Sequence, residues 1–289
     1  MTRPLSPEQL FPAGSRDISQ RFLALSTGVR VRIAESGPAN GKPVVMLPGW
    51  GATIYMYRHA LDILARRGLR VIAIDLRGFG LSDRPHRPGA YSLDAYLGDL
   101  LDALDALGLS RPALVGQSMG GGLAMHFGLR FPERISKLVL INPTGLIPLR
   151  FLPIVRMLPP PVAAWADRRL VPRQVVNLIL RRLVYADASK VSERDVDEYW
   201  APTQLPGYVA AARAALGEFD WKPVSNALAS SLAVPTMVLI GAQDRLVTNT
   251  ERAARRLKGA EVHVLPGGHC VQEETPRESY GLIAELVAR

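Results

Sequence analysis

One cysteine, Cys270, in a chain of 289 residues leaves no possibility of an intramolecular disulfide framework or a multi-cysteine metal site. A reducing compartment fits that scarcity, and a cytoplasmic enzyme of bacterial type would look like this. The stretch from Met1 to Leu10 lacks the apolar core and small-residue cleavage site of a signal peptide, and no apolar run is long enough for a transmembrane helix. Acidic residues are the minority. Against 35 Lys and Arg there are 26 Asp and Glu, a formal charge of +9 that favours acidic surfaces in general. The arginines, however, are scattered as pairs such as Arg66-Arg67 and Arg255-Arg256. No aromatic-rich RNA motif or zinc-finger spacing accompanies them, so the charge alone does not point to a nucleic-acid partner, and none is expected. What is plentiful is apolar residues, 48% of the chain, enough for a substantial core.

Their arrangement sets the fold class. Phe22 to Leu25 and the alternating Val29 to Ile33 flank Ser26-Thr27-Gly28 and predict an antiparallel hairpin of exposed strands. Val44 to Leu47, Val71 to Ile74, Ala113 to Val115 and Leu138 to Ile141 are short continuous apolar runs, the pattern of strands buried on both faces. Helical stretches separate them, most clearly Leu93 to Leu107, whose leucines and Tyr96 share one face while Asp94, Asp99, Asp102 and Asp105 lie elsewhere. Strand and helix in alternation predict an α/β fold with a mostly parallel sheet. From Thr144 to Ser230 the rhythm changes to helical patterns with proline clusters such as Pro159-Pro160-Pro161. Alternation then resumes with strands at Pro235 to Ile240 and Val262 to Leu265, and helices at Thr250 to Leu257 and Arg277 to Val287. The chain therefore divides into a core over 1–143, a helical insertion over 144–230 and the rest of the core over 231–289.

The strand ends carry the distinctive residues, and in open α/β sheets ligands bind there. Gly116-Gln117-Ser118-Met119-Gly120 follows a buried strand and precedes a helix, the context of a nucleophile elbow. A serine hydroxyl needs such a turn to stand exposed beside a base. Leu47-Pro48-Gly49-Trp50-Gly51 is a tight loop, and the backbone N-H groups of Trp50 and Met119 are candidates to hold an oxyanion. The loop from Asp75 to Asp83 combines an ion-pairing Asp and Arg with turn glycines and reads as bracing. Of the histidines, His59 and His86 lie upstream of Ser118, His126 sits about two helical turns beyond it, and His263 lies inside a strand. His269, after Pro266-Gly267-Gly268 at a strand end, is the candidate base. Asp244, just beyond another buried strand, is the candidate acid. Asp167, Asp187, Asp195, Asp197 and Asp220 all fall in the insertion, and Asn142 at the preceding strand end cannot carry the charge. Glu273 and Glu274 are candidates only for supporting that constellation.

Together these motifs resemble the α/β-hydrolase superfamily over nearly the whole chain outside the insertion: Pro48-Gly49-Trp50-Gly51, Asp75-x-Arg77-Gly78-x-Gly80-x-Ser82, Gly116-x-Ser118-x-Gly120, Asp244 and Gly268-His269. The order Ser, Asp, His is the family's order. Pro48 departs from the histidine many relatives carry before that glycine. The elbow Gly-x-Ser-Met-Gly-Gly is similar to that of serine esterases and monoacylglycerol-lipase-like members. The resemblance implies acyl transfer through Ser118, His269 and Asp244 on a hydrophobic carboxylic ester, with no metal and no organic cofactor. Epoxide hydrolases and haloalkane dehalogenases typically have aspartate at the elbow, so Ser118 argues against both. Carbon-carbon bond hydrolases of the meta-cleavage type are the alternative, although these usually carry a longer glycine-rich loop and a tryptophan where Cys270 follows His269. A receptor that captures hydrophobic ligands without turnover is a further alternative. The insertion is expected to cap the pocket. Its apolar segments Leu146 to Leu158 and Val175 to Leu183, interspersed with arginines, fit packing over an acyl site better than peripheral contact with a lipid interface.

Overall fold

The computed structural model describes residues 3–149, 171–248 and 250–289. Strands β1 (Ile18–Ala24) and β2 (Arg30–Ser36) form the predicted antiparallel hairpin, with Ala24 opposite Arg30. There follow β3 (Pro43–Leu47), α1 (Arg58–Ile63), β4 (Arg70–Ile74), α2 (Leu93–Ala106), β5 (Ala113–Gln117), α3 (Met119–Arg130) and β6 (Lys137–Ile141). Beyond the insertion come β7 (Thr236–Gly241), then a helix at Thr250–Ala254, β8 (Glu261–Leu265), and helices at Val271–Glu274 and Pro276–Ala288. The eight strands form one sheet in the order β1-β2-β4-β3-β5-β6-β7-β8, antiparallel at β1-β2 and β2-β4 and parallel elsewhere. This is the α/β-hydrolase fold that the motifs imply.

Period-two alternation explains why the central strands read as continuous apolar runs. Val45, Leu47, Ile72, Ile74, Leu114 and Leu140 point into one core, beneath α2 and α3. Their neighbours Val44, Met46, Val71, Ala73, Val115 and Val139 point into a second core, beneath α1 and the C-terminal helix. Both faces are covered, so every position must be apolar. The register then brings the strand ends level: Leu47 pairs with Gly116, Gln117 with Ile141 and Gly241 with Leu265. Loops carrying chemistry all leave from that edge.

Two expectations need correction. The hairpin is not uniformly exposed: β4 pairs with the other edge of β2 over Ile33 to Ser36, and of β2 only Arg30 is exposed and Glu35 half-buried. Arg32 occupies a polar position of the alternation yet is 2% exposed, tolerated there because its Nε donates to buried Asp75 at 2.6 Å. The helix from Thr250 stops at Ala254 rather than Leu257. Its last residues tighten into three-residue turns, with Arg256 N-H donating to Ala253 O and Leu257 N-H to Ala254 O.

Between β6 and β7 the described residues hold helices and no strand. After a gap these are α4 (Arg173–Ile179), a π-helical turn at Leu180–Val184, α5 (Glu193–Trp200), α6 (Tyr208–Glu218) and α7 (Asn226–Ser230). In core order the remaining helices are α8 (Thr250–Ala254), α9 (Val271–Glu274) and α10 (Pro276–Ala288). The insertion straddles both cores: Tyr208, Ala211 and Ala215 of α6 join the first, whereas Val176, Leu180, Val196 and Trp200 join the second. Most of the segment Leu146 to Leu158, with Pro159 to Pro161, Asp167 and Arg168-Arg169, lies outside the described residues. Among the described residues no helix is long and apolar enough to cross a membrane.

Candidate active site

Ser118 stands between β5 and α3 at φ 51° and ψ −115°, one of two non-glycine residues with positive φ among the described residues. Such a backbone costs on the order of 1–3 kcal/mol and persists only where neighbours over-determine it. Here they do. Ser118 N-H donates to Ile141 O at 2.9 Å, and Ser118 O accepts from Gly122 N-H at 2.9 Å, Thr144 N-H at 3.1 Å and Thr144 Oγ1 at 3.3 Å. The flanking glycines have no alternative. A Cβ on Gly116 would lie 2.1 Å from Gly120 O, and one on Gly120 would lie 2.3 Å from Leu47 O.

That second contact packs the β3 loop directly on the elbow. A Cβ on Gly49 would meet Gln117 Oε1 at 2.4 Å and Ser118 Cβ at 3.1 Å, and Gly51 turns at φ 77°. Trp50 lines the cavity with Ser118, Met119 follows Ser118 at the start of α3, and neither N-H has a protein acceptor among the described residues. Two polar groups without partners, next to Ser118, are what an oxyanion site requires. Trp50 itself is anchored to the insertion, its indole N-H donating to Ala212 O at 2.9 Å.

His269 and Asp244 meet across the ends of β8 and β7. His269 Nδ1 and Asp244 Oδ2 lie 2.8 Å apart, and both side chains are buried. Because Asp244 Oδ1 already accepts from Leu246 N-H at 2.8 Å and Val247 N-H at 3.1 Å, the carboxylate is fixed and the imidazole is the donor. A proton on Nδ1 leaves Nε2 free to accept one. Ser118 and His269 border the same cavity without a hydrogen bond between them. In sites of this kind that contact commonly tightens when substrate is bound.

Sequence reasoning singled out these residues but missed what holds the His269 loop. The His269 carbonyl accepts from Gln117 Nε2 at 2.9 Å and Asn142 Nδ2 at 2.9 Å. Asn142 also takes the β7 end, accepting from Gly241 N-H at 3.0 Å, so it staples β6, β7 and the histidine loop. Its φ of 39° is the signature of that bend, and asparagine tolerates the region better than most residues. At this strand end the donor capacity of the amide, not the charge it lacks, is the informative property. Asp75 braces the next loop: it pairs with Arg32 and accepts from Ile54 N-H at 2.7 Å and Leu81 N-H at 2.9 Å. The other histidines stand apart. His126 is buried in α3, where burial lowers its pKa, and His263 is 3.9 Å from Glu261.

A cavity of about 310 Å³ lies between these strand ends and the insertion. From below it is bordered by Gly49, Trp50, Gly51, Gln117, Ser118 and His269. From above it is bordered by aliphatic side chains, among them Leu149, Val176, Ile179, Leu180 and Val184. Among the described residues no Asp, Glu, Lys or Arg lines it. Helix α4 is two-sided: Val176 turns into the core, whereas Val175 and Leu178 are exposed, at 42% and 58%. Among the described residues no group of His, Cys, Asp or Glu is arranged to hold a metal ion.

Behind His269 a polar cluster joins insertion and core. Glu273 accepts from Tyr199 at 2.6 Å and Tyr185 at 3.0 Å and pairs with Arg58, which also pairs with Asp195 at 2.9 Å. Burial, reinforced by the Glu273 charge, pushes the Cys270 thiol well above its usual range, so it is a neutral wall of the cavity and no nucleophile.

Residues 42–276 match the family described as alpha/beta hydrolase fold. The chain belongs to that family. It is 28% identical over 277 residues to a 2-hydroxy-6-oxo-2,4-heptadienoate hydrolase of Pseudomonas putida, covering 92% of this chain and 95% of the relative. It is 24% identical over 306 residues to epoxide hydrolase A of Mycobacterium tuberculosis, covering 91% and 95%. Among solved structures, a meta-cleavage product hydrolase from Pseudomonas fluorescens superposes with a TM-score of 0.78 at 24% identity over 93% of this hydrolase and 97% of that chain, a likeness of fold. These relatives bear the names of a heptadienoate hydrolase, an epoxide hydrolase and a meta-cleavage product hydrolase, not of the serine esterases and monoacylglycerol lipases that the elbow resembles.

Proposed function

We propose that this hydrolase cleaves uncharged carboxylic esters with a hydrophobic acyl group through a covalent acyl-enzyme on Ser118. The cavity carries the reading: an apolar chamber, without a charged side chain among the described residues apart from titratable His269, opens on the Ser118 hydroxyl. In the proposed cycle His269 Nε2 takes the Ser118 proton as the hydroxyl attacks the carbonyl, and the Trp50 and Met119 N-H groups hold the oxyanion. His269 gives the proton to the leaving alcohol. Water then attacks the acyl-enzyme, with the same imidazole as base, and releases the acid. Asp244 keeps the proton on Nδ1 and stabilises the imidazolium.

Carbon-carbon hydrolysis is the second reading, favoured by the Pseudomonas putida relative. That relative's name denotes a carboxylate-bearing substrate, and burying a carboxylate without a cationic partner is costly. Among the described residues the lining holds no Lys or Arg that could pair with it. The epoxide hydrolase relative does not shift the balance, since Ser118 occupies the position where such enzymes typically use aspartate. Purified enzyme assayed on short, medium and long acyl esters, monoacylglycerols and a vinylogous diketone, with Ser118→Ala as control, separates the readings. Multiple turnovers on esters, lost in Ser118→Ala, are expected. Rapid cleavage of the diketone alone overturns the ester reading, and a single turnover with persistent acyl-enzyme favours a ligand-capturing receptor.

A further inference from the structure

The loop that carries His269 is bonded to the insertion as well as to the sheet. His269 N-H donates to Val184 O at 2.7 Å. Gly268 approaches so closely that a Cβ there would lie 2.5 Å from Val184 O and 2.7 Å from Ala186 N. Beneath this contact sits Glu274, buried at the end of α9. Its carboxylate accepts from Gly268 N-H at 2.6 Å on the histidine side, and from Ala186 N-H at 3.1 Å and Asp187 N-H at 3.0 Å on the insertion side. A carboxylate suits that task, because two oxygens offer several acceptor sites and no donor to clash with three N-H groups. The segment it grips continues directly from the π-helical turn, whose Leu180 and Val184 line the cavity beside Val176 and Ile179 of α4. Lys190 ties the insertion to α9 by another route, its Nζ donating to the Glu274 carbonyl at 2.9 Å without touching the histidine loop.

We propose that Glu274 is a positioning residue that couples the acyl-binding wall of the insertion to the placement of the His269 imidazole. An acyl chain resting on Val176, Ile179, Leu180 and Val184 fixes the turn at 184–187, and the shared carboxylate passes that constraint to Gly268 and His269. The inference rests on the serine-hydrolase reading. It makes kcat, and not only KM, depend on acyl length.

The test compares wild type and Glu274→Gln on acetyl and octanoyl esters of p-nitrophenol, with kcat and KM resolved, and counts Ser118 labelling by an alkyl fluorophosphonate. Wild type is expected to turn over the octanoyl ester with the higher kcat. In Glu274→Gln that kcat falls about 10- to 100-fold, the scale of a small misplacement of a reacting group. The acetyl kcat falls much less, so the octanoyl-to-acetyl ratio collapses, while labelling still reaches one phosphonate per chain. Lys190→Met, which loosens the insertion elsewhere, keeps the wild-type ratio. An equal loss on both esters overturns the coupling, because a residue that only braces the loop acts on every substrate alike; an unchanged kcat overturns it too. Should Glu274→Gln fail to fold, Glu274→Asp, with the carboxylate withdrawn by one methylene, reads out the same ratio. Absence of labelling in wild type instead sinks the serine-hydrolase reading on which the proposal stands.

Discussion

The floor and the roof of the cavity are built by opposite rules. The floor is built on close backbone approach: Gly116 and Gly120 sit where a Cβ would lie within about 2.5 Å of backbone atoms, which leaves room for glycine alone, and a Cβ on Gly49 would meet the Gln117 and Ser118 side chains. The roof is made of aliphatic side chains on α4 and the π-helical turn, joined to the core by side-chain ties such as Trp50 to Ala212 and Tyr199 to Glu273. Aliphatic groups of similar volume replace one another at modest cost. On the proposed reading, reaction type belongs to the floor and acyl preference to the roof.

Substitutions on the two sides should separate accordingly. The largest effect is expected from Ser118→Ala, which lowers kcat on a p-nitrophenyl ester by about a million-fold while circular dichroism and thermal melting stay those of the wild type. Activity that survives the change would mean the floor does not carry the chemistry. Next in size is Asp75→Asn, which leaves Arg32 buried without its carboxylate and costs about 3–5 kcal/mol of stability in urea unfolding. A loss below 1 kcal/mol, roughly what an exposed pair contributes, would show that this brace is dispensable.

On the roof, Leu180→Ala enlarges the cavity and is expected to shift kcat/KM between medium and long acyl esters by about tenfold. Leu178→Gln, on the exposed face of α4, should leave that ratio unchanged. Equal shifts from both would contradict the two-sided reading of the helix.

The smallest effect concerns acid. Burial pushes the Asp195 carboxyl up, but the Arg58 charge and hydrogen bonds from Ser192 and Tyr55 outweigh it and hold the pKa below the usual value. A depressed folded pKa contributes stability that is present above the ordinary carboxyl pKa of about 3.9 and lost as pH falls through the lower folded value. The stability gap between wild type and Asp195→Asn should therefore narrow in urea titrations carried below about pH 4. A gap independent of pH would remove Asp195 from the acid response.

The same contrast explains what was legible in the sequence. Buried parallel strands announce themselves as apolar runs, and the elbow's glycines stand where sterics allow nothing else, so Ser118, Asp244 and His269 could be located with the loop of Trp50. Gln117 and the donor role of Asn142 escaped, and Glu274 was legible only as a supporting candidate, because an amide or carboxylate that binds backbone groups across loops leaves no periodicity, and its partners are distant in sequence: Asn142 reaches His269, and Glu274 reaches Ala186. Arg32 misled in the same way, since its burial depends on Asp75, 43 residues further on. The roof gave only its apolar character, which any packed helix shares.

The most direct measurement is rapid-quench mass spectrometry of the enzyme mixed with p-nitrophenyl butyrate, with peptide mapping of the modified chain. The expected result is a burst of p-nitrophenolate matched by one butyryl group per chain, mapped to Ser118 and absent in Ser118→Ala. Sustained turnover with no acyl group on Ser118 would contradict the covalent mechanism.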